Sequence, residues 1–300
     1  MSASLYPHLP FSGSCTALIT PFDNAGAFDE AAFEKLVDWQ ISEGTHGLVP
    51  VGTTGESPTL SHEEHDRVVE ICVKTAAGRV PVIAGAGSNS TAEAVRLSKH
   101  AEAVGVDAVL IVSPYYNKPT QAGLEAHFTA VADAISIPVI IYDIPGRSIV
   151  RVSEDTLATL VKHPNIVGIK DATAECARPT VLRSMLGPDF CQLSGEDATV
   201  LPYLAAGGQG CISVVSNVAP ALCSRLHTAW AKGDTATALS LHQKLMPLHE
   251  KLFCEASPGP VKYAASLLGL CGATTRLPLC EIAESSKVAV REALAVADLL

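Results

Sequence analysis

Eight short apolar runs, separated by amphipathic segments, constrain the fold of this chain more than any other feature of its sequence. They begin at residues 14, 47, 80, 107, 137, 165, 190 and 210. Because the runs are continuously apolar rather than alternating, they indicate parallel strands covered on both faces. The segments between them have helical spacing of apolar residues, and several open with Ser or Asp in a capping position, as at Ser61. No linker rich in Pro and Gly divides the series, so the sequence predicts one α/β (β/α)8 TIM barrel.

The alternation of strand-like and helix-like segments stops after about residue 232. Three helical stretches follow, beginning at residues 235, 259 and 285, with no apolar strand-like run between them. We therefore predict a barrel over residues 1–232 and a C-terminal three-helix extension over residues 233–300. Packing or oligomerisation is the expected role of this extension.

Composition narrows the class of protein. The formal net charge is −10, with 31 acidic and 21 basic residues and no basic run, which argues against a nucleic-acid or anionic-membrane partner. The first residues lack the basic and apolar regions of a signal peptide, and no apolar run approaches the roughly 18 residues of a membrane span. We expect a soluble, cytoplasmic protein.

The nine cysteines are scattered from Cys15 to Cys280 without a C-x-x-C pair. A disulfide framework or a zinc site requires clustered spacing. The cysteines are therefore predicted to be reduced residues of the core.

In a barrel of this kind the active site forms where the strands end, and reactive residues follow several of the predicted strands. Lys170 ends the sixth run. Among apolar neighbours its charge loses hydration, which favours the neutral amine that can form a Schiff base. The alternative is a strand-end lysine that reaches solvent or pairs with Asp171, and spacing alone does not choose. Tyr142, one strand away, is either a proton carrier for that amine or a buried strand-end tyrosine.

Two loops offer sites for anions. Glycines flank Thr53 and Thr54 after the second run, so a tight turn there can present amides and hydroxyls to a carboxylate. Arg147, just beyond the fifth run, can bind a second carboxylate through both guanidinium nitrogens. The alternative for Arg147 is an ordinary surface arginine.

Two other patterns do not support a cofactor. Gly85-Ala86-Gly87 begins like a dinucleotide fingerprint, but Ser90 stands where the last Gly or Ala belongs. His62 and His65 are three residues apart without a third ligand in sequence. No cofactor or metal is expected.

Four motifs fall in a familiar order: VGTTGESPTL at 51, SPYYNKPTQ at 113, IIYDIPGRS at 140 and IVGIKDAT at 166. Together they resemble the dihydrodipicolinate synthase and N-acetylneuraminate lyase family. LSGED at 193, GCIS at 210 and SPGPVKYAASLLGL at 257 extend the resemblance over nearly the whole chain. The resemblance implies a lyase of the class I aldolase type.

The resemblance assigns a role to each candidate residue. Lys170 would form the Schiff base with pyruvate. The proton relay would comprise Tyr142, Thr54 and Tyr116, with Tyr116 reaching across a subunit interface. The positions that match those framing pyruvate are Thr53, Gly195 and the backbone at Ile212. Arg147 matches the position that receives the carboxylate of the aldehyde substrate.

The tandem tyrosines followed by Asn117, together with Arg147, are similar to the synthase branch of the family rather than to the sugar-acid lyases. The expected substrates are therefore pyruvate and L-aspartate semialdehyde, in lysine and diaminopimelate biosynthesis. The resemblance also implies a homotetramer built as a dimer of dimers. Asp143, Asp171 and Ser257 replace commoner residues of the family, without touching a proposed reacting atom.

A regulatory site is also implied. The residues that match a lysine pocket in lysine-sensitive bacterial members are Ser57, His62, His65, Asn89, Glu93 and Tyr115. L-lysine is therefore expected as a feedback inhibitor. Pro58, where a small residue is commoner, bears on the strength of inhibition.

Two other functions compete with this prediction. One is a pyruvate-dependent sugar-acid aldolase or lyase acting on N-acetylneuraminate or a keto-deoxy sugar acid, in which a second cationic anchor at Arg147 would have no carboxylate to bind. The other is a non-catalytic sensor of pyruvate or lysine, which would not need Lys170 and its relay.

Overall fold

Eight parallel strands form the barrel that the apolar runs predict. The computed structural model describes residues 11–300, so the predictions made for the first ten residues lie outside the described residues. The strands are β1 Gly13–Ala17, β2 Gly47–Val49, β3 Ile83–Gly85, β4 Ala108–Val112, β5 Val139–Asp143, β6 Ile166–Asp171, β7 Cys191–Ser194 and β8 Gly210–Ser213.

Neighbouring strands pair in parallel from β3 through β8 to β1 and β2. A parallel bridge between Leu48 and Val82 joins β2 to the segment before β3 and completes the circle. The predicted fold class is confirmed.

Two strands begin two or three residues later than their apolar runs. The run at residue 80 becomes strand only from Ile83, and the run at 137 only from Val139. Each contains a proline, Pro81 or Pro138, which has no N–H to donate to a ladder. Their carbonyls still accept hydrogen bonds from neighbouring strands, at 2.9 Å in both cases. Proline therefore shortens these strands without removing them from the barrel.

Helices separate the strands and follow the last one. Their bounds are α1 Glu30–Ser42, α2 His62–Ala76, α3 Thr91–Val104, α4 Gln121–Asp133, α5 Pro145–Ser148, α6 Glu154–Leu160, α7 Arg178–Leu186, α8 Val200–Ala205, α9 Pro220–Ala231, α10 Thr235–Lys251, α11 Gly259–Leu267 and α12 Glu284–Val296. Two 3-10 turns lie at Ser57–Thr59 and Val215–Asn217. At the start of α2, Ser61 and Glu64 form a reciprocal capping box.

The strands are apolar on both faces because each face packs into a different hydrophobic core. One core fills the barrel, with Ile140 and Leu193 among its buried members. The other lies between the strands and the helices and includes Ile141 and Ile169. Adjacent residues of a strand point to opposite faces, so a continuous apolar run supplies both cores at once.

The cysteine prediction is only partly right. All nine cysteines are free, and five of them are buried. Cys254 and Cys280, however, are exposed. They lie in loops beyond the barrel strands, where no strand face carries them inward, so they do not belong to the core.

The C-terminal helices pack on one another and on the barrel. Helix α10 packs against α9 and α12, and α11 packs against α12 and the 3-10 turn after β8. The division into a barrel and an extension at residue 232 stays a prediction. Within residues 11–300 no helix is long and apolar enough to cross a membrane.

Candidate active site

The carboxyl ends of β5 and β6 place Tyr142 beside Lys170. The two residues are direct partners in the parallel ladder, and the Lys170 Nζ lies 4.1 Å from the centroid of the Tyr142 ring. Each residue is only 6% exposed. Lys170 thus does not extend into solvent, which was one of its two alternatives.

The other alternative, an ion pair with Asp171, is not formed either. Asp171 accepts hydrogen bonds from Thr173 and lies 3.3 Å from an Arg178 nitrogen. Among residues 11–300, no carboxylate lies within ion-pair distance of the Lys170 Nζ. The amine is therefore available to a ligand.

Gly195, just after β7, provides the space that the Lys170 side chain occupies. A Cβ on Gly195 would lie 3.1 Å from the Lys170 Cε and 2.7 Å from the Cβ of Ala172. Its backbone N–H donates to the carbonyl of Asp171 at 2.7 Å, which fixes this approach. Ile212 on β8 has a fully buried side chain in the barrel core, so only its backbone can face a ligand.

A tight turn follows β2; we name residues 52–56 the threonine turn. The N–H of Gly55 donates to the carbonyl of Gly52, and that of Glu56 to the carbonyl of Thr53, both at 3.1 Å. The hydroxyl of Thr20 donates to the Gly55 carbonyl at 2.7 Å. The predicted tight turn is thus present.

A cavity of about 220 Å³ opens at this end of the barrel. Its lining includes Thr53 from the loop after β2, and Tyr142 and Arg147 from the end of β5 and the short helix that follows it. The remaining lining residues are Val51, Gly52, Ser57, Pro58, Gly85, Gly87, Leu110, Val112, Tyr115 and Ile144. A mostly apolar pocket with a few converging polar groups is typical of a small-molecule site.

Arg147 lies at the rim of this cavity. It is exposed on the short helix α5, and its backbone N–H donates to the carbonyl of Ile144 at 2.9 Å. Within the described part of the chain, no ion pair occupies its guanidinium. The side chain can therefore bind an incoming anion.

The comparisons with known proteins agree with this geometry. The model of the dihydrodipicolinate synthetase family matches residues 10–297. The chain belongs to this family. It is 63% identical to a 4-hydroxy-tetrahydrodipicolinate synthase from Bradyrhizobium diazoefficiens, over 97% of this chain and 98% of the relative.

Two solved structures have the same fold. Dihydrodipicolinate synthase from Aquifex aeolicus superposes with a TM-score of 0.94 at 46% identity, covering 96% of this chain and 99% of that one. The enzyme from Cyanidioschyzon merolae, with lysine bound, has a TM-score of 0.94 at 39% identity, covering 97% and 99%. Family membership confirms the resemblance seen in the four motifs and the prediction of a Schiff-base-forming enzyme.

Two residues of the proposed relay lie apart from the cavity lining in this family member. Thr54 is buried in the threonine turn. Tyr116 is 86% exposed, with a left-handed backbone at φ 74°. Its neighbour Tyr115 lines the cavity instead. A single chain thus leaves the Tyr116 ring outside the site, and its role across a subunit interface stays a prediction.

The six residues predicted to bind lysine do not form one exposed group in a single chain. Ser57 and Tyr115 line the cavity, and His62 Nε2 lies 2.7 Å from a Glu93 carboxylate oxygen. The Asn89 amide donates to the carbonyl of Tyr115 at 3.2 Å.

His65 differs from the other five residues. It is buried, with its Nε2 3.0 Å from the carbonyl of Gly85. Burial lowers the pKa of His65 to about 4, so it is neutral at pH 7.

Sequence reasoning missed Glu196, which follows Gly195 in the chain. Its side chain is half-buried. Burial and the neighbouring Asp197 carboxylate raise the pKa of Glu196, while the nearby charges of Lys170 and Arg147 act in the opposite direction. A carboxyl group close to both cations belongs to the site. Its position directly after the strand-end glycine was the available signal.

Sequence reasoning also missed Arg178. Its buried guanidinium donates to Asp143 at 2.7 Å and to Asp171 at 3.3 Å, and to the carbonyl of Val152 at 2.7 Å. These aspartates directly follow Tyr142 and Lys170, so one side chain joins the ends of β5 and β6. The two acidic departures from the family pattern were visible in the sequence, but their shared partner was not.

Proposed function

We propose that this chain catalyses the 4-hydroxy-tetrahydrodipicolinate synthase reaction, the condensation of pyruvate with L-aspartate semialdehyde. The observation that carries the proposal is the buried amine of Lys170 against the Tyr142 ring, next to a cavity with anion-binding groups at two positions. Relatives also support it, since the chain is 63% identical to a protein of that name.

The Lys170 amine attacks the ketone carbon of pyruvate, and the resulting carbinolamine loses water to give an iminium. Loss of a methyl proton then yields an enamine, whose carbon attacks the aldehyde of the second substrate. The amine of that substrate attacks the iminium carbon, closes the ring and releases Lys170. No redox change occurs, and the enzyme amine is regenerated.

Each step needs a proton carrier. The Tyr142 hydroxyl is the proposed proton carrier: it would donate to the leaving hydroxyl of the carbinolamine and accept the methyl proton when the enamine forms. Thr54, and Tyr116 from a partner subunit, would connect it to solvent. The threonine turn and Gly195 would frame the pyruvate carboxylate, and the Ile212 backbone would close that side of the site. Arg147 would bind the carboxylate of the aldehyde substrate bidentately.

Arg147 also favours the synthase reaction over cleavage of a sugar acid. A sugar acid presents one carboxylate, which the threonine turn would hold, whereas L-aspartate semialdehyde brings a second carboxylate to the rim of the cavity. An exposed guanidinium at the rim, with no ion pair among residues 11–300, fits the second case.

Regulation by L-lysine and a homotetrameric assembly are part of the proposal. The His62–Glu93 contact and the Asn89–Tyr115 contact lie beside the tandem tyrosines, where carboxylate and donor groups suit an amino acid. The exposed Tyr116 ring is consistent with a partner subunit at this edge. We also place the reaction in the cytoplasm, on the strength of nine unpaired cysteines.

One assay tests the reaction. Purified protein, pyruvate and L-aspartate semialdehyde are coupled to a reductase that consumes the product, and the Lys170→Ala variant is the control. Borohydride with pyruvate should add a stable mass to Lys170 in the wild type and nothing in the variant. Trapping without turnover would favour a sugar-acid lyase, and no trapping would favour a non-catalytic sensor.

The lysine proposal has its own measurement. Turnover should fall as L-lysine is titrated, and calorimetry should detect binding that weakens in a Glu93→Gln variant. Turnover unaffected by L-lysine would remove the regulatory claim while leaving the reaction in place.

A further inference from the structure

The C-terminal helices contribute a buried lysine next to the threonine turn. Lys262 lies on α11 and is fully buried, with its Nζ 2.6 Å from a carboxylate oxygen of Glu56. The Glu56 side chain is 1% exposed. The two residues are 206 positions apart in the chain, so this ion pair connects the extension to the loop after β2.

Glu56 is bound on every side. Its N–H donates to the carbonyl of Thr53 at 3.1 Å, and its own carbonyl accepts from the N–H and the hydroxyl of Thr59, both at 3.0 Å. Its second carboxylate oxygen accepts the backbone N–H of Arg276 at 2.9 Å. The backbone of Glu56 thus belongs to the threonine turn, while its carboxylate is bound by the C-terminal segment.

Lys262 has no other acidic partner in the described part of the chain. Its Nζ lies 4.0 Å from the centroid of the Phe22 ring. Burial lowers the pKa of Lys262, and the Glu56 carboxylate opposes that shift. A buried carboxylate and a buried ammonium each require the other, because either one alone would lose its hydration without compensation.

Lys262 does not line the cavity, and its bond to Glu56 is its link to the threonine turn. We propose that Lys262 is a positioning residue for pyruvate: its ion pair with Glu56 fixes the threonine turn in the conformation that binds the substrate carboxylate. The inference rests on the proposed function, because it takes this turn to be the carboxylate-binding element.

The effect should be selective for one substrate. Arg147, which would bind the carboxylate of the aldehyde, lies on α5, and its backbone N–H donates to the carbonyl of Ile144, the residue before that helix. None of the hydrogen bonds within residues 11–300 joins Arg147 to Glu56. Displacing the threonine turn therefore weakens pyruvate binding and leaves the aldehyde site intact.

The first variant is Glu56→Asp. This variant keeps both charges but shortens the acidic side chain by one methylene group, so the ion pair with Lys262 can persist only if the threonine turn shifts. Aspartate tolerates the left-handed backbone found here at φ 54°. We expect the KM for pyruvate to rise about tenfold, the effect of weakening a charged hydrogen bond, with the KM for L-aspartate semialdehyde unchanged within about twofold.

The second variant is Lys262→Met, with Glu56→Gln/Lys262→Met as its neutral counterpart if the single change prevents folding. Lys244→Met is the matched control, because Lys244 is also a C-terminal helix lysine but pairs with Asp298 at 2.6 Å. The same selective rise in the pyruvate KM is expected for the Lys262 variants and not for the control.

The result distinguishes positioning from general destabilisation. Partial unfolding lowers the active fraction, which reduces kcat without changing either KM, and a loosened barrel raises both KM values together. Either pattern in Glu56→Asp, or an unchanged pyruvate KM, would overturn the role of the pair. Failure of the wild type to turn over in the same assay would instead contradict the proposed reaction.

Discussion

Gly195 leaves the space that the Lys170 side chain occupies beside Tyr142. The space for a Cβ at Gly195 is already occupied by the Lys170 Cε and by Ala172. A methyl group there would push the lysine away from Tyr142, and a displacement of about 1 Å costs on the order of 100-fold in rate.

Gly195→Ala is therefore expected to lower kcat by about 10- to 100-fold in the coupled assay. Gly146→Ala is the control, because a Cβ at Gly146 would meet nothing within 4 Å. Equal activity of the two variants would show that this close approach is unimportant.

At the scale of elements, the buried Arg178 joins β5 to β6. It binds the aspartate at the end of each strand, and it also contacts Glu154 at the start of α6. Burial raises the pKa of Asp143, and the Arg178 charge limits that rise.

Replacing Arg178 with Met should lower the free energy of unfolding by about 3–5 kcal/mol, because two carboxylates remain buried without a cation. Arg151→Met is the control. Arg151 is partly exposed and pairs with the same Glu154, so its loss should cost at most about 1 kcal/mol. Urea titrations of both variants at pH 7 measure the difference.

The deficit of the Arg178→Met variant, meaning its loss of unfolding free energy relative to the wild type, should also depend on pH. Without the guanidinium, the pKa of Asp143 rises further, so the folded variant takes up a proton before the unfolded chain does. The deficit relative to the wild type should therefore shrink between pH 7 and pH 5. An equal deficit at both values would indicate that Asp143 does not titrate in this way.

At the scale of the whole molecule, the exposed Tyr116 ring predicts sites completed by a partner subunit. The Lys170→Ala and Tyr116→Phe variants should each have little activity. Mixed oligomers contain sites that take Lys170 from one chain and Tyr116 from the other, so unfolding and refolding the two variants together should restore activity. If Tyr116 acted within its own chain, every site would keep a defect and mixing would restore nothing.

Five histidines among residues 11–300 are buried, and burial lowers the pKa of each of them, including His242. These groups should make the stability of the fold sensitive to acid. Burial lowers the pKa of His65, His127 and His249 to about 4, and that of His227 to about 3. As the pH falls from 6.5 toward 4, the unfolded chain binds protons that the folded chain does not, so stability should decrease across this window.

Each of His65, His127, His227 and His249 should contribute on the order of 2 kcal/mol to that decrease. His65→Gln should therefore show a shallower loss of unfolding free energy than the wild type between pH 6.5 and pH 4, measured by urea titration. Parallel curves for the two proteins would contradict a buried, neutral His65.

The sequence by itself determined the barrel, the order of its strands and the strand-end location of Lys170, Tyr142, Thr53 and Arg147. These features follow from local signals: continuous apolar runs, helical periodicity, capping residues and short motifs. Where local rules competed, the sequence reasoning was less accurate. The predicted starts of β3 and β5 were too early because the effect of Pro81 and Pro138 was not considered. The exposed Cys254 and Cys280 were wrongly assigned to the core.

Only the tertiary structure decided which distant residues meet. Lys262 pairs with Glu56, which is 206 positions away in the chain. Arg178 binds the aspartates at two strand ends, and the absence of a side chain at Gly195 leaves space for Lys170. None of these pairings has a sequence period, because each is set by the closure of the barrel and the packing of helices against it. The sequence therefore specifies which groups are available at each strand end, and barrel closure specifies which of them come close enough to act together.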